Sequence, residues 1–217
     1  MTENERLLSL FEQCLHCSYR KVEEDASFAI KHRGSCLTVF FQDSEGLLDW
    51  KHNLAFRSKP YGKGGLRCHG GFYRVFKAAL PYLEKEIADP SVKKITLVGY
   101  SHGAALALLC YKYALDARAD LAGKIEGFGF GTPRVFKKGL TKEEKARFSG
   151  FTYIKNIDDI VTHLPLWLFG YRHVKPPLLI GARGRYSMID AHRPTSYQEE
   201  LRRLGAEEEE KELVHDR

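Results

Sequence analysis

The chain has 217 residues, 43% of them apolar and 29% charged, which excludes a disordered or fibrous protein and leaves room for one domain with a sizeable core. The net charge of +6 is unevenly spread: the last twelve residues, Ala206 to Arg217, hold six acids and two bases, so the body before them is more basic than the total. A basic body favours an anionic interface such as a lipid surface, whereas no basic–aromatic repeat or recognition motif points to nucleic acid.

No apolar run approaches the length of a membrane-spanning helix. The opening MTENERLLSLFEQC lacks the basic start and apolar stretch of an export signal. The five cysteines are odd in number and do not form a disulfide framework in a chain of this size. Together these features predict a reducing, cytoplasmic compartment.

Leu7, Leu8, Leu10, Phe11, Cys14 and Leu15 repeat at helical spacing and predict an amphipathic first helix. Cys14 and Cys17 share a CxxC spacing on it. No second pair completes a metal site, so they read as packing residues. Strands are expected over 27–30 and 35–41, around a His32-Arg33-Gly34 turn. Residues 50–71, rich in Gly and charge, read as loop. Phe72, Val75, Phe76, Ala79, Leu80, Leu83 and Ile87 mark the next helix, in which Pro81 predicts a kink or a broken turn.

Lys94 to Gly99 is a short apolar run, read as a buried strand, and residues 103–116 form an almost wholly apolar helix. Strands follow at 125–130 and 151–155. A hairpin is expected of 178–180 and 185–189 around Gly181-Ala182-Arg183-Gly184. A surface helix over 196–214 ends in the acidic tail, 206–217. This alternation predicts one α/β domain over residues 1–217, with a central, mostly parallel sheet flanked by helices.

The most informative segment is KITLVGYSHGAALALLC. It places Gly99-Tyr100-Ser101-His102-Gly103, a G-x-S-x-G pattern, between a buried strand and a helix, the context that a nucleophile elbow needs. So tight a turn strains the backbone at Ser101 and demands small residues on both sides. The helix N-terminus behind it offers backbone N–H groups to a reacting carbonyl, the His102 N–H first among them.

A serine nucleophile needs a base and an orienting acid, here in the order Ser, Asp or Glu, His. Asp158 and Asp159, directly after FTYIKN, both stand at a strand end. Of the downstream histidines, His163, His173 and His215 have plain structural readings. His192 lies in the polar turn Asp190-Ala191-His192-Arg193-Pro194, where a loop-borne base is expected. The His102 side chain reads as turned away from Ser101. No metal or cofactor is implied.

Taken in order, these blocks resemble the class 3 (fungal-type) triacylglycerol lipases of the α/β-hydrolase superfamily. LTVFFQDSEGLLDWKHNL is similar to the family's strand, oxyanion Ser/Thr and following Trp. CHGGFYRVF resembles its H-x-G-F helix start, VGYSHGAALA its elbow, and GFGFGTPRV its G-x-P-R-V strand end. NIDDIVTHLPLWLFGYRHV resembles its acid block, and DAHRPTSY the block that bears the catalytic His.

The resemblance implies Ser101 as nucleophile, Asp159 rather than Asp158 as acid, and His192 as base. It implies Ser44 with His102 as the oxyanion hole. Leu47 and Trp50 fall in the stretch matching the family's lid, and Leu164, Leu166 and Trp167 in an apolar wall suited to an acyl-binding groove. The implied activity is hydrolysis of acylglycerols or related carboxylic esters, with peripheral contact to a lipid surface. Short-chain carboxylesterase or phospholipase A1-like activity is the alternative within the enzyme class. An inactive hydrolase fold that binds lipid or protein is the alternative outside it. Three departures stand out: Ala104 for the second Gly, Thr162 for a Pro, and Gln42-Asp43 for Arg-Gly, which sets a negative charge beside the oxyanion hole.

Overall fold

The computed structural model describes residues 1–43, 57–62, 66–137 and 139–215. A seven-stranded sheet dominates it. Its strands are β1 (Arg20–Lys21), β2 (Ser27–Arg33), β3 (Cys36–Phe41), β6 (Lys94–Tyr100), β7 (Ile125–Phe130), β9 (Phe151–Asn156) and β11 (Leu178–Ile180), in that spatial order. The β1–β2 and β2–β3 pairs are antiparallel, and every pair from β3 to β11 is parallel. A second, antiparallel sheet of four short strands runs β10 (Tyr171–Arg172), β8 (Phe136–Lys137), β5 (Arg67–His69), β4 (Ser58–Pro60).

Strand periodicity sorts the core into two layers. Leu37, Val39 and Phe41 of β3, with Ile95 and Leu97 of β6, face helices α2 (Gly70–Ala88) and α3 (His102–Ala117). Phe40, Val98, Tyr100, Phe128 and Phe130 face the other way, toward Leu7, Phe11 and Cys14 of α1 (Glu3–His16) and Tyr197 and Leu201 of α5 (Pro194–His215). Helix α3 is apolar on nearly every side because it is buried against the sheet and against α2. A short helix, α4 (Lys142–Ala146), precedes β9.

Phe11 is fully buried, with ring centroids 4.7 Å from Phe130, 5.5 Å from Tyr100 and 5.8 Å from Tyr197. Burying such a ring contributes about 2–3 kcal/mol. It clamps α1 over the strand that ends at Ser101.

Three expectations are corrected. Helix α2 runs unbroken through Pro81, whose exposed position lets water satisfy the carbonyl that loses its N–H partner. The hairpin at 178–189 does not form. Leu178–Ile180 instead pairs parallel with β9, Leu178 opposite Ile154, because Ile180 is buried in the α1/α5 layer. The chain then turns at Gly181, φ +79°, toward His192. The segment read as loop supplies two strands, β4 and β5, each three residues long and too short to show a period. The surface helix expected over 196–214 forms as α5 and takes in most of the acidic end, as far as His215.

Candidate active site

Ser101 sits where β6 meets α3, with φ +53° and ψ −120°, a backbone conformation that non-glycine residues rarely adopt. The two flanking glycines make the turn possible. A Cβ on Gly99 would lie 2.2 Å from the Gly103 carbonyl oxygen, and one on Gly103 would lie 2.2 Å from the Phe41 carbonyl oxygen. The Ser101 N–H donates to the Phe130 carbonyl at 2.9 Å, fixing the elbow to the neighbouring strand.

The structure brings Ser101, His192 and Asp159 into one hydrogen-bonded line, although they are 91 and 33 residues apart along the chain. His192 Nε2 lies 2.7 Å from Ser101 Oγ, and Nδ1 lies 2.8 Å from Asp159 Oδ2. A carboxylate only accepts, so Nδ1 carries the proton and Nε2 is left to accept from the hydroxyl. All three residues are buried.

Each member is held by neighbours. Asp159 Oδ1 accepts from the Val161 N–H at 2.8 Å, and Oδ2 accepts a second bond, from the Tyr197 hydroxyl, at 2.7 Å. That hydroxyl in turn accepts from the Asn156 N–H at 3.1 Å. Asn156 Nδ2 donates to the Ala191 carbonyl at 3.1 Å, beside His192. The Tyr100 hydroxyl donates to the His192 carbonyl, and the two rings stack with centroids 5.2 Å apart. Burial, then the neighbouring Asp159 charge, hold the Tyr197 phenol well above its usual range, so it stays a donor.

Sequence reasoning did not single out Tyr100, Asn156 or Tyr197. The signal available for Tyr197 was its place five residues after His192, on the first turn of α5.

The competing residues lie elsewhere. Asp158 Oδ2 accepts from the Gly184 N–H at 2.6 Å. His163 Nε2 is 2.7 Å from Lys155 Nζ, and His173 Nε2 is 2.8 Å from the Thr162 carbonyl oxygen. The His102 ring lies against Phe72, centroids 5.5 Å apart, where desolvation pushes its pKa down to about 4. Its backbone N–H donates to Asp43 Oδ1 at 3.3 Å. Ser44, Leu47 and Trp50 lie outside the described residues. Leu164 is half-buried, and its carbonyl accepts from the Arg134 N–H at 2.6 Å. Leu166 and Trp167 are exposed, at the start of the short turn Trp167–Phe169.

A cavity of about 550 Å³ lined by Tyr111, Leu115, Arg118 and Arg147 belongs to the opposite end of the parallel sheet, near the starts of β7 and β9. Among the described residues, no group of three or more His, Cys, Asp or Glu is placed to hold a metal ion, and no helix is long and apolar enough to cross a membrane.

A serine at a strained strand-to-helix elbow, lined up with His and Asp from later loops of a mostly parallel sheet, defines the serine-hydrolase class of α/β proteins. The sequence profile described as lipase (class 3) matches residues 38–169, and the chain belongs to that family. It is 28% identical over 153 residues to secreted mono- and diacylglycerol lipase A of Penicillium camembertii, spanning 68% of this chain and 49% of that protein. It is 33% identical over 122 residues to a secreted mono- and diacylglycerol lipase of Malassezia globosa, spanning 52% and 37%. The chain thus matches about half, or less, of the length of these relatives.

Among solved structures, the Rhizomucor miehei lipase propeptide complex superposes with a TM-score of 0.70 at 19% identity, covering 89% of this chain and 78% of that one. The mono- and diacylglycerol lipase of Aspergillus oryzae gives 0.68 at 19%, covering 88% and 85%. These likenesses show the fold.

The expected cytoplasmic location is corrected by the relatives, which are secreted proteins. The cysteine argument fails for a physical reason. All five cysteines are free, but Cys14, Cys68 and Cys110 are buried packing residues. Desolvation pushes the Cys14 and Cys68 thiols up to about 12, so little thiolate exists to oxidise. Their presence reports core packing rather than compartment.

Proposed function

We propose that this chain is an extracellular serine ester hydrolase acting on acylglycerols. The observation that carries the reading is the Ser101–His192–Asp159 line, with its distances of 2.7 and 2.8 Å. Ser101 Oγ attacks the ester carbonyl while His192 Nε2 takes its proton. Asp159 keeps His192 in the working tautomer and stabilises the imidazolium. The C–O bond to the leaving alcohol breaks as Nε2 returns the proton to it. Water, deprotonated by the same nitrogen, then cleaves the acyl-enzyme and restores Ser101.

The developing oxyanion is received by the N–H groups of His102 and Ser44. Leu164, together with Leu47 and Trp50, walls the acyl chain, while Leu166 and Trp167 meet it from the solvent side. Residues 1–217 act as one domain, with no cofactor or metal.

The test is hydrolysis of p-nitrophenyl esters from acetate to palmitate, with Ser101→Ala as control. Activity in the parent and none in the variant supports the reading, and the best chain length separates esterase from lipase. Activity that survives in Ser101→Ala overturns it. The bond from His102 N–H to Asp43 favours a second reading, a hydrolase fold that binds ester without turnover. Ester binding with equal affinity and no hydrolysis in both proteins selects that reading.

A further inference from the structure

Asp159 enters the triad through its carboxylate, while its backbone is tied on both sides. Upstream, its N–H donates at 2.9 Å to the carbonyl of Asn156, the last residue of β9. Downstream, its carbonyl accepts from the Thr162 hydroxyl at 2.8 Å. The Val161 N–H donates to Asp159 Oδ1 at 2.8 Å, so two bonds close the turn that leads from Asp159 into Val161–His163. Thr162 is 3% exposed and Asp159 fully buried, so bulk water does not compete for these bonds.

Thr162 is itself anchored. Its carbonyl oxygen lies 2.8 Å from His173 Nε2. A carbonyl only accepts, so Nε2 carries the proton and Nδ1 is the bare nitrogen. Nδ1 is buried and has no hydrogen-bond partner among the described residues. The fold thus accepts the desolvation of one ring nitrogen while keeping the other on Thr162. Burial lowers the His173 pKa to about 4, against the bond to Thr162, which raises it; Arg134, Lys155 and His163 add to the lowering. Near neutral pH the ring is therefore a neutral donor.

His173 has a firm seat. It directly follows β10, which pairs with β8 in the four-stranded sheet, Arg172 opposite Phe136. Its ring meets Tyr153 of β9 edge-on, with centroids 5.0 Å apart, and the neighbouring Val174 is buried. A line of contacts thus runs from the smaller sheet through His173 and Thr162 to the backbone of Asp159. It is separate from the bonds of Tyr197 and Asn156, which come from α5 and β9. Thr162 is also a departure of this chain, since the proline of the family pattern has no hydroxyl to offer.

We propose that Thr162 is a positioning residue for the acid of the triad, with His173 as its anchor. The Thr162 hydroxyl fixes the peptide of Asp159, and that sets where Oδ2 meets His192 Nδ1. A small displacement of the carboxylate weakens its hold on the imidazolium formed in the transition state. The effect therefore falls on turnover rather than on substrate binding. This role rests on the ester-hydrolase reading for its kinetics, and on the geometry of Asp159 and His192 alone for the rest.

The test compares Thr162→Ala with Thr162→Ser. Both lose the methyl group, and only the alanine loses the hydroxyl. Steady-state kinetics on p-nitrophenyl butyrate is paired with proton NMR of the His192 Nδ1–H, whose downfield resonance reports its bond to Asp159 and needs no turnover. Thr162→Ala is expected to lower kcat by roughly ten-fold with KM within about two-fold, and to move that resonance upfield. Thr162→Ser is expected to recover most of kcat and the parental resonance. His173→Leu, which cannot donate to the Thr162 carbonyl, should act in the direction of Thr162→Ala.

Equal kcat in the alanine and serine variants overturns the inference, as does a parental resonance in Thr162→Ala. A loss confined to KM or to melting temperature overturns it as well. Parental kcat in His173→Leu overturns the part given to His173. If the parent chain hydrolyses no ester, the ester-hydrolase reading fails, and the resonances of the two Thr162 variants still decide whether this hydroxyl positions Asp159.

Discussion

The Asp43 carboxylate accepts a hydrogen bond at 3.3 Å from the His102 N–H, the amide proposed above to receive the tetrahedral oxyanion. The Ser101 side chain does not cap helix α3, so Asp43 supplies an acceptor at the positive end of that helix. If that proposal holds, a substrate carbonyl displaces the carboxylate, and a negative charge there opposes the charge developed in the transition state. Asp43→Ala is therefore expected to raise kcat/KM on p-nitrophenyl butyrate by roughly ten-fold, part of the 10²–10³ that one oxyanion donor is worth. A fall in kcat/KM with the fold intact would show that the carboxylate acts as a helix cap and does not obstruct the reaction.

Asp158 and Asp159 are adjacent, but only Asp159 faces His192. Asp159→Asn is expected to lower kcat by about 10⁴, because an amide donor at Oδ2 forces the wrong imidazole tautomer. Asp158→Asn removes a surface charge, keeps an amide oxygen to accept from the Gly184 N–H, and leaves kcat within about two-fold. Steady-state kinetics on the two variants decides between them, and equal losses would reject the assignment of Asp159.

Tyr197 donates to Asp159 and accepts from Asn156 in a buried position. Tyr197→Phe leaves the Asn156 N–H without its acceptor and takes one donor from the carboxylate. The expected cost is about 1–3 kcal/mol of stability by urea unfolding. A lower kcat at little-changed KM for a soluble ester is expected alongside it. An unchanged pH–rate profile would limit Tyr197 to a structural role.

Gly103→Ala would place a methyl carbon 2.2 Å from the Phe41 carbonyl, which is backbone and cannot rotate away. The elbow must open, at a cost of at least about 1–3 kcal/mol, and Ser101 moves from His192. A depressed melting temperature and slowed fluorophosphonate labelling of Ser101 are expected together. Normal labelling would show that the elbow tolerates the change.

Among the described residues, three histidines are shifted furthest against protonation. Desolvation pushes His69, His102 and His173 down to about 4, against an ordinary value near 6.5. Between these values the unfolded chain binds protons that the native chain does not, so stability rises with pH across that window. It is lost as pH falls from about 6.5 and levels off, for these groups, below about 4. His69 also accepts from the Phe72 N–H at the start of α2. Asparagine caps helices well, so His69→Asn keeps the cap and removes one titration. Melting temperatures across this range should slope less in the variant, and an equal slope would exclude His69.

The elbow was legible in the sequence because its physics is local: a buried strand, two glycines and a helix within a short stretch. The strand over 35–41 and the apolar helix over 103–116 were legible for the same reason. Tyr197 was not, because it meets Asp159 across 38 residues and only tertiary packing brings them together. Strands β4 and β5 exist through pairing rather than propensity, Ser58 opposite His69 and Cys68 opposite Phe136. The 178–189 segment misled because apolar alternation is the same in a hairpin and a parallel edge strand. The burial of Ile180 beneath α1 and α5 decides between them.

The bond from the Tyr100 hydroxyl to the His192 carbonyl closes a ring. Starting at Ser101, it passes along one peptide bond to Tyr100, across that hydrogen bond to the backbone of His192, out along the imidazole and back to the hydroxyl at 2.7 Å. Nucleophile and base therefore share a local frame. When the long helix behind His192 or the outer strands breathe, the two move as one body, and the reacting distance is insulated from fluctuations of the rest of the molecule.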